Sequence, residues 1–276
     1  MESCLLTYFV INDEIRSTCD FNPYFFENKK PVYEVLRIEQ SIPLFLEDHL
    51  ERFFHSCHLA NLKPTFDESR IKKRLKALIT YNNLKTGLIK FIFFKEQEKE
   101  FFIAWITPFS FPTKRLYSEG ITTAFLHAAR KNPQAKFSNL NIRQQADNFI
   151  KENKVYEVLL VNKENVLTEG SRSNLFLLQK DLNILFTPHE NLVLKGITRK
   201  KIIDLAIHEG IDIFESEFKK NELTDFDSAF ITGTSPKVLP IKTIEHLTMD
   251  VHHPLIQLLK TKYDELIEDY LKVFSW

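Results

Sequence analysis

Apolar and polar residues alternate with period two over Val32-Tyr-Glu-Val-Leu-Arg-Ile38, which predicts a half-buried strand with Tyr33, Val35 and Arg37 on one face. Glu39-Gln-Ser41 turns the chain back into Ile42–Leu46. From Leu46 to Leu59 the period changes: Leu50, Phe53, Phe54 and Cys57 fall at helical spacing, Asp48 is a candidate cap, and His49 and Arg52 lie one turn apart on the same side. A second helix is predicted over Asp67 to Leu78. Leu88–Phe94 and Glu100–Ile106 predict a strand pair around a charged turn, and Cys4–Ile11 predicts an edge strand. The first half therefore reads as an α+β unit.

Phe109 to Tyr117 has the composition of a connection and divides the chain into a small N-terminal domain, residues 1–112, a linker, 113–118, and a larger C-terminal α/β domain, 119–276. Strand pattern resumes at Ile121–Leu126, followed by an irregular stretch around Pro133 and a helix from Ser138 to about Glu152. Val158–Val161 and Val166–Gly170 predict a hairpin around Asn162-Lys-Glu-Asn165, and Asn174–Leu178 and Ile184–Pro188 are further strands. An amphipathic helix opens near Gly196, strands follow at Asp212–Phe218, Ser228–Thr232 and Lys237–Ile244, and His253 to Phe274 closes the chain as a helix. No internal repeat is visible.

A chain of 276 residues, 43% apolar and 13% aromatic, has ample material for packed cores and is globular. Lys plus Arg and Asp plus Glu are equal at 37 each, so no basic surplus favours nucleic acid as a partner. The apolar runs are shorter than a membrane span requires, and Glu2 stands where an export signal would carry positive charge. Cys4, Cys19 and Cys57 are odd in number and lack metal-ligand spacing, which fits reduced thiols in the cytoplasm.

Three stretches resemble chemistry more than packing. Thr168-Glu-Gly-Ser-Arg-Ser-Asn174 sets a carboxylate, Glu169, between two strands that want burial, where it needs a partner. Gly196-Ile-Thr198 leads into a helix, so Thr198 is either a helix cap or, with the first backbone N–H groups, an anion cradle. Gly233-Thr-Ser235 after a strand offers similar donors, with Gly233 otherwise a turn glycine. Arg52 reads alone as a solvated helix residue. Lys136 follows an irregular segment and is flanked by Ala135 and Phe137, which can desolvate its amine; Lys131, beside Arg130, is its rival.

Lys136-Phe-Ser-Asn139, Thr168–Asn174, Leu194-Lys-Gly-Ile-Thr-Arg199 and Thr232-Gly-Thr-Ser-Pro-Lys-Val238, with Tyr33–Arg37, His49–Arg52 and Ser56 before them, resemble the motifs of the class IV, fold-type IV, pyridoxal-phosphate aminotransferases. That family includes branched-chain and D-amino-acid aminotransferases and 4-amino-4-deoxychorismate lyase, and the resemblance runs from about Tyr33 to Ile244. It implies that Lys136 carries pyridoxal 5′-phosphate as a Schiff base and, once released, shuttles a proton between the substrate α-carbon and the cofactor. It implies that Glu169 pairs with the pyridine nitrogen, and that Arg52, Ile197, Thr198 and Thr234 bind the phosphate. Tyr33 and Arg37 correspond to substrate-pocket positions, and Lys95 is the cation near where D-amino-acid aminotransferases place an Arg and a His two residues apart. The sequence departs from the family pattern at Leu140, where Tyr is common, at Asn28-Lys-Lys-Pro31, where Gly-Asp-Gly is usual, and at Lys195, where proline is common.

The expected protein is thus a two-domain fold-type IV enzyme, with the C-terminal domain binding the cofactor, acting as a homodimer without metal. Its expected reaction is amino-group transfer between an amino acid, of branched-chain type, and a 2-oxo acid. The alternatives are the lyase reaction, releasing pyruvate and 4-aminobenzoate, and a non-catalytic ligand-binding descendant of the fold.

Overall fold

The computed structural model describes residues 2–27, 29–130, 133–137 and 140–276. Asn28, Lys131, Ser138, Asn139 and the side chain of Leu140, to which the sequence points, lie outside the described part. The chain divides into two compact units: one of Met1–Ser110, Ala135–Ser138 and Ile267–Trp276, the other of Phe111–Gln134 and Asn139–Leu266.

The first unit is an antiparallel sheet in the order β2-β1-β6-β5-β3-β4. Its strands are β1 (Leu5–Ile11), β2 (Glu14–Ser17), β3 (Val32–Glu39), β4 (Ile42–Pro43), β5 (Gly87–Glu96) and β6 (Lys99–Thr107). The short helix α1 (Tyr24–Glu27) precedes β3, and the longer helices are α2 (Leu46–Leu59) and α3 (Glu68–Tyr81). The alternation in β3 divides its side chains as predicted: Val32, Glu34, Leu36 and Ile38 are buried, while Tyr33, Val35, Arg37 and Glu39 are half-buried on the other face. β5 is apolar on both faces because both are covered. Ile89, Phe91 and Phe93 join the core with Leu50, Phe53, Ile71 and Leu75 of α2 and α3, and Ile92 and Phe94 join Phe9, Phe26, Ile103 and Trp105. Each such buried side chain contributes about 1.5–3 kcal/mol of transfer free energy.

Two local expectations are corrected here. The first strand is not an edge: Asn12 at φ 52° turns it into the short β2, which pairs Tyr8 with Ser17 through Ile11 with Glu14. β2 reads Glu-Ile-Arg-Ser, too polar and short to show a strand period. Asp48 does not cap α2, since the helix begins two residues earlier behind Phe45, which sits at φ 51° with no side-chain cap. The hydroxyl of Tyr270 takes that place, accepting from the Leu46 N–H at 3.0 Å and donating to Glu47 Oε2 at 2.8 Å.

The second unit holds a mixed sheet of ten strands among its described residues, in the order β12-β11-β10-β14-β15-β7-β8-β9-β13, with β16 paired to β15. These are β7 (Ile121–His127), β8 (Glu157–Val161), β9 (Val166–Gly170), β10 (Asn174–Leu178), β11 (Ile184–Pro188), β12 (Asp212–Ser216), β13 (Phe218–Lys219), β14 (Ser228–Gly233), β15 (Lys237–Ile244) and β16 (Leu247–Thr248). Its helices are α4 (Lys114–Glu119), α5 (Leu140–Asn153), α6 (Ile197–His208) and most of α7 (Pro254–Val273). β7 pairs in parallel with β15 and β8, and β11 with β12. β8, β9, β10 and β14 are almost wholly buried, and the apolar runs Val158–Val161 and Leu175–Leu178 match burial on both faces. Phe176 and Phe230 stack across β10 and β14 with ring centroids 4.9 Å apart. The segment with connection composition carries α4, whose N-terminus Thr113 caps by accepting from the Leu116 N–H.

The role of Tyr270 is directly measurable. Tyr270→Phe keeps the ring against Phe45 but leaves the Leu46 N–H and the Glu47 carboxylate without that hydroxyl. Urea unfolding should show a loss of about 1–2 kcal/mol; an unchanged midpoint would remove Tyr270 as the helix cap.

Candidate functional site

In the first unit the polar residue on the buried face of β3 organises the charged groups. Glu34 has 0% exposure. Its Oε1 accepts from Arg52 Nε at 2.8 Å, and its Oε2 accepts from Arg52 Nη2 at 2.7 Å. His49 Nδ1 also lies 2.8 Å from Oε2, and Lys136 Nζ is 3.7 Å from the same oxygen. The helical spacing that puts His49 and Arg52 on one side of α2 aims both at β3. Burial works against ionising Glu34, but the charges of Arg52 and Lys136 and the bonds from His49 and Arg52 outweigh it, holding the carboxyl well below the usual range. Burial lowers the affinity of His49 for a proton, against the pull of Glu34, so the imidazole is neutral at pH 7.

Lys136 is anchored through its backbone. Its N–H donates to Ser56 Oγ at 3.2 Å, its carbonyl accepts from the Tyr33 N–H at 3.1 Å, and Phe137 bridges to Val32. The side chain is 11% exposed, with Nζ 5.3 Å from the centre of the Tyr33 ring. Lys136, Arg52 and Tyr33, three residues selected from sequence, thus meet in one cluster, and Glu34 and His49 complete it. Neither Glu34 nor His49 stands out as a site residue by sequence, since one fits strand alternation and the other a helix face. The remaining substrate-side candidates are held in ion pairs: Arg37 with Glu39 at 2.6 Å, and Lys95 with Glu100 at 2.9 Å. Lys90 lies closer to Tyr33, its Nζ 4.9 Å from the ring centre, and pairs with Glu2.

The second unit builds its polar cluster around two carboxylates. Glu157, at the start of β8, accepts from the Ser171 and Arg172 N–H groups and from the hydroxyls of Ser171 and Ser173 at 2.6 and 3.0 Å. It thereby fixes the turn that separates Glu169 from Asn174. Gly170 is required there, because a Cβ would lie 2.1 Å from Ser173 Oγ and 3.2 Å from the Glu157 carboxylate. Glu169 itself, 4% exposed, accepts from Arg130 Nε at 2.7 Å and from the Leu194 N–H at 3.0 Å. Arg130 Nη2 also donates to the Ser171 carbonyl at 2.8 Å. The pair with Arg130 is charge-assisted.

Asn174 joins Glu169 to the start of α6. Its Nδ2 donates to the Leu194 carbonyl at 2.9 Å and approaches Glu169 Oε2 at 3.4 Å, while its Oδ1 sits where a Cβ on Gly196 would collide at 2.0 Å. α6 then begins at Ile197 behind Gly196 with no side-chain cap. Thr198 is therefore not the cap: its hydroxyl meets the Tyr263 hydroxyl at 3.3 Å. Thr234 lies in the turn after β14, whose Thr232 pairs in register with Asn174, the residue that contacts both Glu169 and the loop before α6. Glu157, Arg130 and Tyr263 were not selectable by sequence, because each acts through partners distant along the chain.

These residues suit pyridoxal phosphate chemically. In the second unit a cradle that a glycine Cβ would close and an uncapped helix start with Thr198 on its first turn suit a phosphate, and in the first unit Arg52 offers a guanidinium of the same suitability. The Glu169 carboxylate suits a protonated ring nitrogen as an acceptor, and Lys136 provides a shielded primary amine.

Comparison with known proteins places the chain in a family. Residues 31–244 match the family described as amino-transferase class IV. The D-alanine aminotransferase of Bacillus licheniformis is 29% identical over 233 residues, covering 79% of this chain and 80% of the relative. The branched-chain-amino-acid aminotransferase of Pseudomonas aeruginosa is 25% identical over 245 residues, covering 80% and 78%. In structure, the branched-chain aminotransferase of Thermoproteus uzoniensis superposes with a TM-score of 0.84 at 21% identity, over 97% of this chain and 98% of that one. A Legionella pneumophila structure assigned provisionally as 4-amino-4-deoxychorismate lyase gives 0.76 at 24% identity, over 86% and 91%. The structural likenesses establish the fold, that of the fold-type IV enzymes.

The buried cluster makes stability depend on pH with a definite sign. The folded pKa of His49 lies below its unfolded value, so the unfolded chain binds the extra proton and stability is lost as pH falls through about 6.5. Glu34, also depressed, adds a second loss below about 4.3. Urea midpoints between pH 7.5 and 5 should fall less steeply for His49→Gln than for the parent, by up to about 1.4 kcal/mol per pH unit. Parallel slopes would mean that His49 takes up its proton equally in both states.

Proposed function

The chain belongs to the class IV aminotransferase family, and on that premise we propose that it moves an amino group between an amino acid, of branched-chain type, and a 2-oxo acid. It is an enzyme whose cofactor is pyridoxal 5′-phosphate, the form held by the solved branched-chain aminotransferase of Thermobaculum terrenum. The observation that carries the reading is Lys136, a shielded amine rooted by its backbone beside Tyr33 and the Glu34–Arg52 pair.

When bound, pyridoxal phosphate supplies an electron sink for the bond electrons at a substrate α-carbon. The protein's own groups do the rest. Lys136 would hold the cofactor and, when free, move a proton at the substrate α-carbon. Glu169, paired with Arg130, would hold the ring nitrogen in its N–H form. Arg52, the Ile197 and Thr198 start of α6, and Thr234 would hold the phosphate. On the substrate side Tyr33 is the residue whose ring reaches the lysine, with Arg37 and Lys95 as further candidates.

A homodimer in the cytoplasm belongs to the same reading. Cys4, Cys19 and Cys57 are free thiols, with burial pushing Cys57 up to about 12. No helix among the described residues is long and apolar enough to cross a membrane. Light scattering and cell fractionation decide these two points. The second reading, lyase chemistry on aminodeoxychorismate, is favoured by the Legionella likeness.

Two measurements test the proposal. The purified protein should show a pyridoxal absorption band that a branched-chain amino acid bleaches in a single turnover, and borohydride should fix the cofactor's mass on Lys136. A label on Lys131, or no band, overturns the assignment; a band unmoved by amino acids, with 4-aminobenzoate formed from aminodeoxychorismate, selects the lyase. Glu169→Gln should retain the cofactor and lose roughly 10²-fold in turnover, and full activity in that variant would remove Glu169 from the ring nitrogen.

A further inference from the structure

In the reaction proposed above, Lys136 exists in two conditions: joined to the cofactor, and free as an amine after the cofactor has passed to the substrate. A free ammonium at 11% exposure is costly without a counter-charge, because little water reaches it. Among the described residues an acid stands beside it. Glu34 Oε2 faces Lys136 Nζ at 3.7 Å, and the Tyr33 ring lies against the amine at 5.3 Å. We propose that Glu34 is a positioning residue that receives the released Lys136, so that one carboxylate both fixes Arg52 and sets the balance between the lysine-joined and lysine-free forms of the enzyme.

The geometry separates these two tasks. Oε1 is engaged by Arg52 Nε, and Oε2 receives Arg52 Nη2 and His49 Nδ1 and faces the lysine. Arg52 and His49 enter from α2, where Ser56 also fixes the Lys136 backbone. Lys136 pivots from a root held by Ser56 and Tyr33, so its amine leaves and returns over a short arc while the acid stays still. Glu34 shares the buried face of β3 with Val32, Leu36 and Ile38, so Arg52 and Lys136 are its cationic partners in a place that excludes solvent. With His49 neutral, the trio of Glu34, Arg52 and Lys136 carries one net positive charge, suited to an adjacent phosphate. In the joined condition the lysine nitrogen is held by a covalent bond and its contact with Glu34 becomes dispensable. In the free condition that contact is its counter-ion.

The two cofactor forms read this difference directly. Pyridoxamine phosphate cannot bond to lysine, so its binding leaves Lys136 free, whereas pyridoxal phosphate takes it up. Apo-protein, parent and Glu34→Gln, is titrated with each compound and followed by tryptophan fluorescence. The Kd for pyridoxamine phosphate should rise at least about tenfold more than that for pyridoxal phosphate. Equal losses would mean that Glu34 acts only through Arg52 and overturn the proposal, as would no loss. In a Lys136→Ala background the differential should vanish; its persistence there would also overturn the proposal. If Glu34→Gln does not fold, Glu34→Asp serves: its carboxylate is one methylene short of the lysine and must give the same differential, and equal losses again count against it. The inference rests on Lys136 as the cofactor-linked residue. Failure of borohydride to label Lys136 removes that assignment, whereas labelled Lys136 with equal losses removes only the role of Glu34.

Discussion

A carboxylate shut away from water raises the free energy of the fold unless cations meet it, and Glu34 on β3 is met by three basic side chains. That requirement fixes how α2 lies on the sheet, because Arg52 must deliver two bonds to the acid and His49 a third. It also gives the lysine a place in the first unit, although its neighbours along the chain mostly belong to the second. The aromatic and aliphatic side chains around these groups make the medium in which their charges act strongly.

The second unit separates two duties between two acids. Glu157 satisfies backbone N–H groups and hydroxyls in the turn after β9, a structural task that leaves its oxygens inside hydrogen bonds. Glu169, on the strand that enters that turn, faces Arg130 and the loop before α6 instead. Because the turn is pinned by Glu157, the position of Glu169 does not depend on its own partners alone. Asn174 carries that rigidity onward to Gly196, so acid and helix start are held as one piece.

Periodicity made most of the framework legible. The two-residue alternation of Val32–Ile38 gave the right inward and outward faces, and the helical stripe of α2 gave the shared side of His49 and Arg52. Motifs selected Lys136, Arg52 and Tyr33, which the fold then gathers. What stayed hidden has one physical cause: a side chain whose meaning comes from a remote partner carries no local signal. Glu34 looks like any strand residue until Lys136 arrives from 102 positions away, 136 less 34. Arg130 looked like a neighbour of Lys131 until Glu169 accepted it. β2 and the cap of α2 were missed for the same reason, one depending on its pairing with β1 and the other on Tyr270.

The hydrogen bond from Leu46 to Tyr270 spans 224 positions of sequence. Its consequence lies in time more than in stability. During synthesis the first 110 residues can form their sheet and helices early, as leading domains do. The lysine segment and the cap of α2 can join them only when much later residues have emerged. Such closures raise contact order and slow the final step. The nascent first unit would therefore pass through a stage in which its core still lacks Phe137 and Phe274 and its buried acid, Glu34, still lacks one of its cations.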